Sequence, residues 1–281
     1  MSVITTKSHK KEMESCERFA FGDNWAKFLK ALDEQRINHA VDSLKSMLEV
    51  ENLNAKSFLD IGSGSGLFSL AAKRLGAKVF SFDYDPRSVA CTKELKNRYF
   101  YNDKDWTIES GSVLDTEYLS RLGKFDIVYS WGVLHHTGNM WAALKNVQVN
   151  VAKNGKLLIA LYNHQPFASN YWWFVKKMYN KYSISRPLFI FIHSLYPTLP
   201  SLLLKAIQNR KCPRGMNVWY DLIDWLGGYP FEVSTPQQIF EYYKSYGYYL
   251  IKLKTVGGRL GCNEYVFQLN SSINSRSALS S

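Results

Sequence analysis

Asp60-Ile61-Gly62-Ser63-Gly64-Ser65-Gly66 sets three glycines at alternate positions directly behind an acid. Glycines at a strand end let the backbone approach a ligand closely, and a helix that follows offers unpaired N–H groups at its start. The spacing is not the dinucleotide fingerprint G-x-G-x-x-G, whose third glycine would fall at Leu67. Asp60 would repel a pyrophosphate and suits a cationic amino-acid moiety. Asp83 closes the next apolar run, where a carboxylate can accept hydrogen bonds from both hydroxyls of a ribose. His135 and His136 follow a later apolar run, and imidazole titrates near neutrality, as a general base must. Asp221 and Asp224 stand three apart and share a face if helical. They are candidates to bind hydroxyls or to act as the base in place of His136, unless they pair with Arg210, Lys211 or Arg214. Glu264 is a weaker candidate, better read as a strand-end capping or loop residue. Cys16, Cys91, Cys212 and Cys262 lie far apart without a CxxC pair. Adjacent histidines seldom both reach one ion, so no metal is expected, and the cysteine usage fits a reducing, cytoplasmic setting.

These residues need elements to hold them. Residues 1–16 read as a charged tail, and Phe21, Trp25, Phe28, Leu29 and Leu32, then Ile37, Val41, Leu44 and Met47, recur at helical spacing. An alternation follows. Strands are predicted at Ser57–Ile61, Lys78–Phe82, Trp106–Glu109, Phe125–Tyr129 and Lys156–Leu161, the last after a turn at Asn154-Gly155. Helices are predicted at Leu67–Leu75, Arg87–Tyr99, Thr116–Leu122 and Met140–Val151. Repeating strand–helix units imply a parallel sheet covered on both faces. Helix Pro236–Tyr246 and strands Tyr248–Val256 and Glu264–Leu269 complete it as an antiparallel edge. The fold class is therefore α/β, a Rossmann-like, mostly parallel seven-stranded sheet with N-terminal helices and a helical insertion after the fifth strand.

DIGSGSG at Asp60–Gly66, Asp83-Tyr84-Asp85-Pro86 and the segment Phe125–His136 resemble the class I S-adenosylmethionine-dependent methyltransferases. The resemblance covers residues 56–163 and, more loosely, 234–269. It implies S-adenosylmethionine as cofactor, with Asp60, Gly62, Gly64 and Gly66 around its methionine part, Asp83 on the ribose and Tyr84 against the adenine. Where many members carry an Asp that contacts the adenine amino group, this chain has Ser112, followed by Val113. Ser130 and Trp131 are expected near the sulfonium. A hydroxyl acceptor requires a base, for which His136 is the first candidate, with His135 and Asp224 beside it. The implied organisation is 1–55 as tail and capping helices, 56–163 as core, 164–233 as acceptor-recognising lid, 234–270 as completion of the sheet, and 271–281 as a disordered tail.

Charge points to the lid. The chain of 281 residues carries a net charge of +11, and from Ile127 to Tyr220 it has no Asp or Glu. That stretch holds eleven bases, among them Lys176, Lys177, Lys181 and Arg186, interleaved with Tyr171, Trp172, Trp173 and Phe174. A positive surface at the acceptor mouth is expected. Three partners suit it: a small-molecule or sugar acceptor, with or without a phosphate or nucleotide group, is preferred over an anionic membrane surface serving a quinone-like or lipid-linked acceptor, and over RNA. No RNA-binding module is visible. A helical core with a solvated basic face, and a binding protein without chemistry, are the plainer alternatives. The longest apolar stretch, Pro187–Ile207, is broken by His193, Pro197, Pro200 and Lys205, so no membrane-spanning helix is predicted.

Overall fold

The computed structural model describes residues 19, 21–195 and 218–270, with the side chains of residues 23, 195, 218–221 and 224 outside that description. Seven strands form one sheet. They are β1 (Ser57–Ile61), β2 (Lys78–Asp83), β3 (Trp106–Ser110), β4 (Phe125–Trp131), β5 (Val151–Tyr162), β6 (Tyr248–Lys254) and β7 (Cys262–Leu269), in the order β3-β2-β1-β4-β5-β7-β6. The first five run parallel, while β7 pairs antiparallel with both β5 and β6. Phe58, Leu59 and Ile61 of β1 and Leu157–Leu161 of β5 are buried without alternation, as strands covered on both faces must be.

Helices α1 (Phe21–Lys30), α2 (Glu34–Leu48), α3 (Leu67–Arg74) and α4 (Pro86–Tyr99) cover one face. Phe28, Leu44, Leu70 and Leu95 pack there with Phe58 and Ile127 of the sheet. Helices α5 (Thr116–Leu122), α6 (Met140–Asn146) and the later α10 (Pro236–Ser245) cover the other, where Leu119, Leu144 and Tyr243 meet Leu59, Val128 and Phe267. Side-chain caps start these helices: Asp33, Asp85, Asp115 and Asn139 accept backbone N–H groups, and Thr235 with Gln238 forms a capping box. Each such cap contributes about 1 kcal/mol.

Two expected boundaries are corrected. Asn154-Gly155 is no turn before β5 but a bulge inside it. Asn154 is left-handed (φ 59°), and the register against β4 shifts between Phe125 and Ile127. The helix expected to reach Val151 ends at Asn146 and tightens into a 3₁₀ turn at Val147–Asn150. The β-branched run Val147, Val149, Val151 disfavours more α-helix. Asn150 is also held sideways, its Nδ2 donating to the carbonyls of Leu119 and Gly123, each at 2.8 Å.

Between β5 and α10 lie α7 (Pro166–Lys181), α8 (Arg186–Leu195) and α9 (Val218–Gly227). Val175, Tyr179, Leu222 and Leu226 form a small core of their own, against Phe19, Trp172 and Phe189.

Candidate active site

Parallel register brings the C-terminal ends of β1, β2 and β4 to one edge: Ile61 faces Phe82, and Asp60 faces Ser81 on one side and Tyr129 on the other. At that edge Gly62, Gly64 and Gly66 all have positive φ (78°, 55° and 81°), a conformation open to glycine without strain. Their neighbours leave no room either. A Cβ on Gly62 would lie 2.5 Å from Val133, and one on Gly66 2.9 Å from the backbone of Thr92.

Asp83 holds this turn. Its Oδ2 accepts the Gly64 N–H at 2.9 Å and its Oδ1 accepts the Asp85 N–H at 2.8 Å. The adjoining segment after β3 is tied to the same point, because the Gly111 N–H donates to the Asp83 carbonyl at 3.0 Å. Ser112 and Val113 follow, with Ser112 Oγ accepting the Leu114 N–H. Tyr84 is half-buried next to Asp83. Ser130 is fully buried and donates to the Ile61 carbonyl at 3.0 Å, locking β4 to β1 directly under the glycine turn. Trp131 is partly exposed beyond it, and a Cβ at the following Gly132 would meet nothing within 4 Å. Open space therefore begins where β4 ends.

Asp60 lies beneath the turn rather than in it. Its carboxyl is 2% exposed and accepts from Ser69 Oγ at 2.5 Å. Ser69 in turn contacts Ser81 Oγ at 2.7 Å, which accepts from the Trp106 indole at 3.0 Å. Burial pushes the Asp60 carboxyl up to about 7, and the nearby Asp83 charge adds to the shift, while the Ser69 hydrogen bond opposes it.

The two histidines, each a candidate for the base, have different environments. They sit in a 3₁₀ turn, Leu134–His136. His135 is fully buried, its Nδ1 accepting the Tyr162 N–H at 3.3 Å, and Nε2 has no hydrogen-bond partner. Burial, then the His136 and Lys176 charges, hold it well below the usual histidine range. Its burial and lowered basicity make His135 a less suitable proton acceptor than His136. His136 Nδ1 lies 2.6 Å from the Pro230 carbonyl. A carbonyl only accepts, so Nδ1 carries the proton and Nε2 is the basic nitrogen of the neutral ring.

Several partners of this site are not evident from sequence. Helix α1 lies over the turn: the Gly22 N–H donates to Asp85 Oδ2 at 2.8 Å, and a Cβ on Gly64 would come within 3.0 Å of the Trp25 indole nitrogen. The Phe21 ring is 5.1 Å from His136. Tyr162, at the end of β5, gathers the His135, His136, Trp225 and Phe231 rings at 3.9, 5.3, 5.4 and 5.3 Å. Glu232 accepts the Met140 N–H at 3.0 Å and so starts α6, and burial raises its carboxyl.

Of the described bases in the acid-free stretch, Lys177, Lys181 and Arg186 are exposed on the lid, but not all of the others share that surface. Lys176 is fully buried. Its Nζ donates to the Trp225 carbonyl and stands 4.3 Å from the Trp225 ring and 5.0 Å from that of Phe231. Lys156 is at the opposite end of β5, donating to the Leu48 carbonyl at 2.6 Å. Lys205, Arg210, Lys211 and Arg214 lie outside the described residues. Asp224 falls on α9 with its side chain outside them. Glu264 is corrected too: it lies within β7, 9% exposed, paired with Lys254 at 3.1 Å across the β6–β7 ladder.

A Rossmann-like sheet with a glycine turn after β1 and an acid ending β2 defines the class: an α/β domain built to hold a nucleoside-bearing ligand at its strand ends. A family model described as a methyltransferase domain matches residues 32–187, more than half of the chain. The chain belongs to this family, the class I S-adenosylmethionine-dependent methyltransferases. It is 28% identical over 162 residues to ribosomal protein L11 methyltransferase of Helicobacter hepaticus, covering 53% of this chain and 49% of that protein. To ubiquinone biosynthesis O-methyltransferase of Pelagibacter ubique it is 30% identical over 105 residues, covering 37% and 41%. The matches thus span about half or less of these curated relatives. Among solved structures, an O-methyltransferase family protein from Burkholderia thailandensis superposes with TM-score 0.52 at 13% identity, over 83% of this chain and 55% of that one. Magnesium protoporphyrin IX methyltransferase from Synechocystis with bound SAH superposes with TM-score 0.50 at 13% identity, over 84% and 83%.

Proposed function

We propose that the chain binds S-adenosylmethionine at the β1–β2–β4 edge and transfers its methyl group to a hydroxyl of a small, ring-bearing acceptor. What supports the reading is chain position at one edge: the glycine turn held by Asp83 follows β1, and the turn Leu134–His136, whose imidazole is ordered by the Pro230 carbonyl, follows β4, the strand paired with β1. The residues fit the cofactor. Asp83 presents a carboxylate for ribose hydroxyls, the left-handed glycines let the backbone come close, and the space beyond Gly132 is open. When bound, the cofactor supplies an activated methyl group; the chain's task is then positioning and proton handling. Asp60 supports the turn from below, with Ser112, Val113 and Tyr84 near the base and Ser130 and Trp131 near the reacting end. His136 Nε2 takes the proton that the acceptor hydroxyl loses, and the Pro230 carbonyl keeps the ring in the tautomer able to accept it.

The acceptor mouth is formed by Tyr162, Trp225 and Phe231 under the lid, which favours a planar or sugar ring. Relatives named for a ribosomal protein and for ubiquinone biosynthesis share the core, so the lid rather than the core selects the acceptor. The test uses labelled S-adenosylmethionine and the small-molecule fraction of a cell extract. Label should enter a base-stable, ether-type product. His136→Ala should lower turnover about 10²–10⁴-fold while leaving cofactor affinity unchanged. Label found only in protein or RNA, or a His136→Ala variant of full activity, contradicts the proposal.

A further inference from the structure

Helix α7 carries apolar side chains on an exposed flank as well as on its buried face. At 3.6 residues per turn, Val175 and Tyr179 lie on the side that packs into the lid core. Phe167 and Phe174 project from a flank about 100° away, with exposures of 91% and 53%, whereas the half-exposed Tyr171 ties its hydroxyl to the buried His193 Nε2 at 2.9 Å. An ordinary surface helix would carry polar residues there. The next helix repeats the pattern: Phe189 and His193 turn inward, while Leu188 and Phe191 are 58% and 63% exposed, in line with Ile184 at 89% just before α8.

Bases accompany these stripes, and acids do not. Lys177, Lys181 and Arg186 are exposed on the same hairpin. Lys177 Nζ rests 4.6 Å from the Trp173 ring and Lys181 Nζ 5.2 Å from that of Tyr182. No Asp or Glu occurs from residue 127 to residue 220. Exposed apolar side chains interleaved with bases whose ammonium groups lie beside exposed aromatic rings match the physical requirements of an anionic bilayer surface, apolar groups entering the acyl boundary and ammonium groups meeting the phosphates.

We propose that the α7–α8 hairpin docks the protein peripherally on an anionic lipid bilayer. No helix among the described residues is long and apolar enough to cross a membrane, so the contact lies on the surface. A second copy of the chain fits this face poorly, because like charges would meet with no acid of the hairpin to offset them. RNA would use the aromatic rings but gains nothing from Ile184, Leu188 or Ile192, which cannot stack on bases.

The test measures partition of the full chain onto vesicles of phosphatidylcholine alone and of an equal mixture with phosphatidylglycerol. Binding is expected only to the mixture, weakening as salt rises. Phe167→Ser combined with Phe174→Ser and Phe191→Ser, and separately Lys177→Glu combined with Lys181→Glu, should each lower the partition coefficient by at least about tenfold. Both sets change exposed side chains, and unaltered thermal melting confirms that each variant is folded. Absence of binding to the mixed vesicles, or folded variants that bind as wild type does, overturns the proposal. So does a stable dimer in sedimentation velocity that the triple Phe→Ser variant converts to monomer, since the face would then be a self-interface.

Discussion

Asp83 accepts one backbone N–H of the glycine turn, that of Gly64, and one from Asp85 in its own segment, at the end of β2 where a ribose would sit. Its removal takes away both the acceptor and part of the preorganisation. Asp83→Ala should weaken S-adenosylhomocysteine binding by about 1.5–3 kcal/mol, the scale of hydrogen bonds to a charged group. Calorimetry on a folded variant that gives an unchanged affinity would remove Asp83 from the site. Asp60 makes a different prediction, about stability. Burial raises its carboxyl from 3.8 to about 7, so between these values the folded protein keeps a proton that the unfolded chain has released. Its contribution is therefore fully present below roughly pH 4 and is lost as pH rises through about 7, by roughly 4 kcal/mol at most. Asp60→Asn, neutral throughout, should lack this loss, so its melting temperature should gain on wild type as pH rises from about 4 to 8. Parallel melting curves across that range would show that Asp60 does not titrate as its burial implies.

At the scale of elements, the lid is joined to itself through helix ends. The Trp225 and Gly227 carbonyls belong to the last turn of α9, where no intrahelical N–H remains to serve them. Lys176 donates to the first and Asn180 Nδ2 to the second, at 2.7 Å. A cation at a helix C-terminus is favourable, yet burying one costs solvation, so replacing it with an apolar isostere should change global stability little. Lys176→Met should instead act locally. Amides of residues 222–231 should exchange about ten to a hundred times faster, the loss of one charge-assisted hydrogen bond, while those of β1 and β4 hold. Exchange unchanged in α9 would mean that the aromatic packing alone fixes it. The same element shows where sequence reasoning reached its limit. Strands β1, β2 and β4 were legible because they read as short, mostly apolar runs that end at Gly or Asp. Helix α7 was not, because Trp172, Val175 and Tyr179 face inward while Phe167 and Phe174 are exposed on an adjoining flank, leaving no single period. Without that period Lys176 looks like one more surface base. Trp25 over Gly64 and the Pro230 carbonyl on His136 were equally hidden, since each joins segments far apart in the chain and neither has a local pattern.

At the scale of the molecule, the chain leaves the sheet for the lid and rejoins it at one place, while lid residues also reach Phe19 and the His135–His136 turn. Asn163 and Ser234 form a parallel bridge, with Ser234 N–H donating to the Tyr162 carbonyl and His164 N–H to the Ser234 carbonyl, each at 3.0 Å. The chain therefore leaves the sheet and returns to it at adjacent points, and residues 165–231 form an excursion between them. Excising those residues behind a short glycine linker demands no stretching of the core, because loop closure between neighbouring ends costs little. The excision does expose Tyr162 and His135, and it removes the Pro230 carbonyl that orients His136. The shortened protein should melt cooperatively at a lower temperature and keep measurable affinity for S-adenosylhomocysteine, since Asp83, the glycine turn and α1 all remain. Methyl transfer to the acceptor found with the full chain should be lost, because the aromatic mouth and the tautomer lock leave together. Calorimetry, melting and the transfer assay on one preparation separate the possibilities. A folded excision variant that transfers at the wild-type rate puts the acceptor pocket on the sheet rather than under the lid. One that folds but no longer binds S-adenosylhomocysteine makes the lid part of the cofactor site.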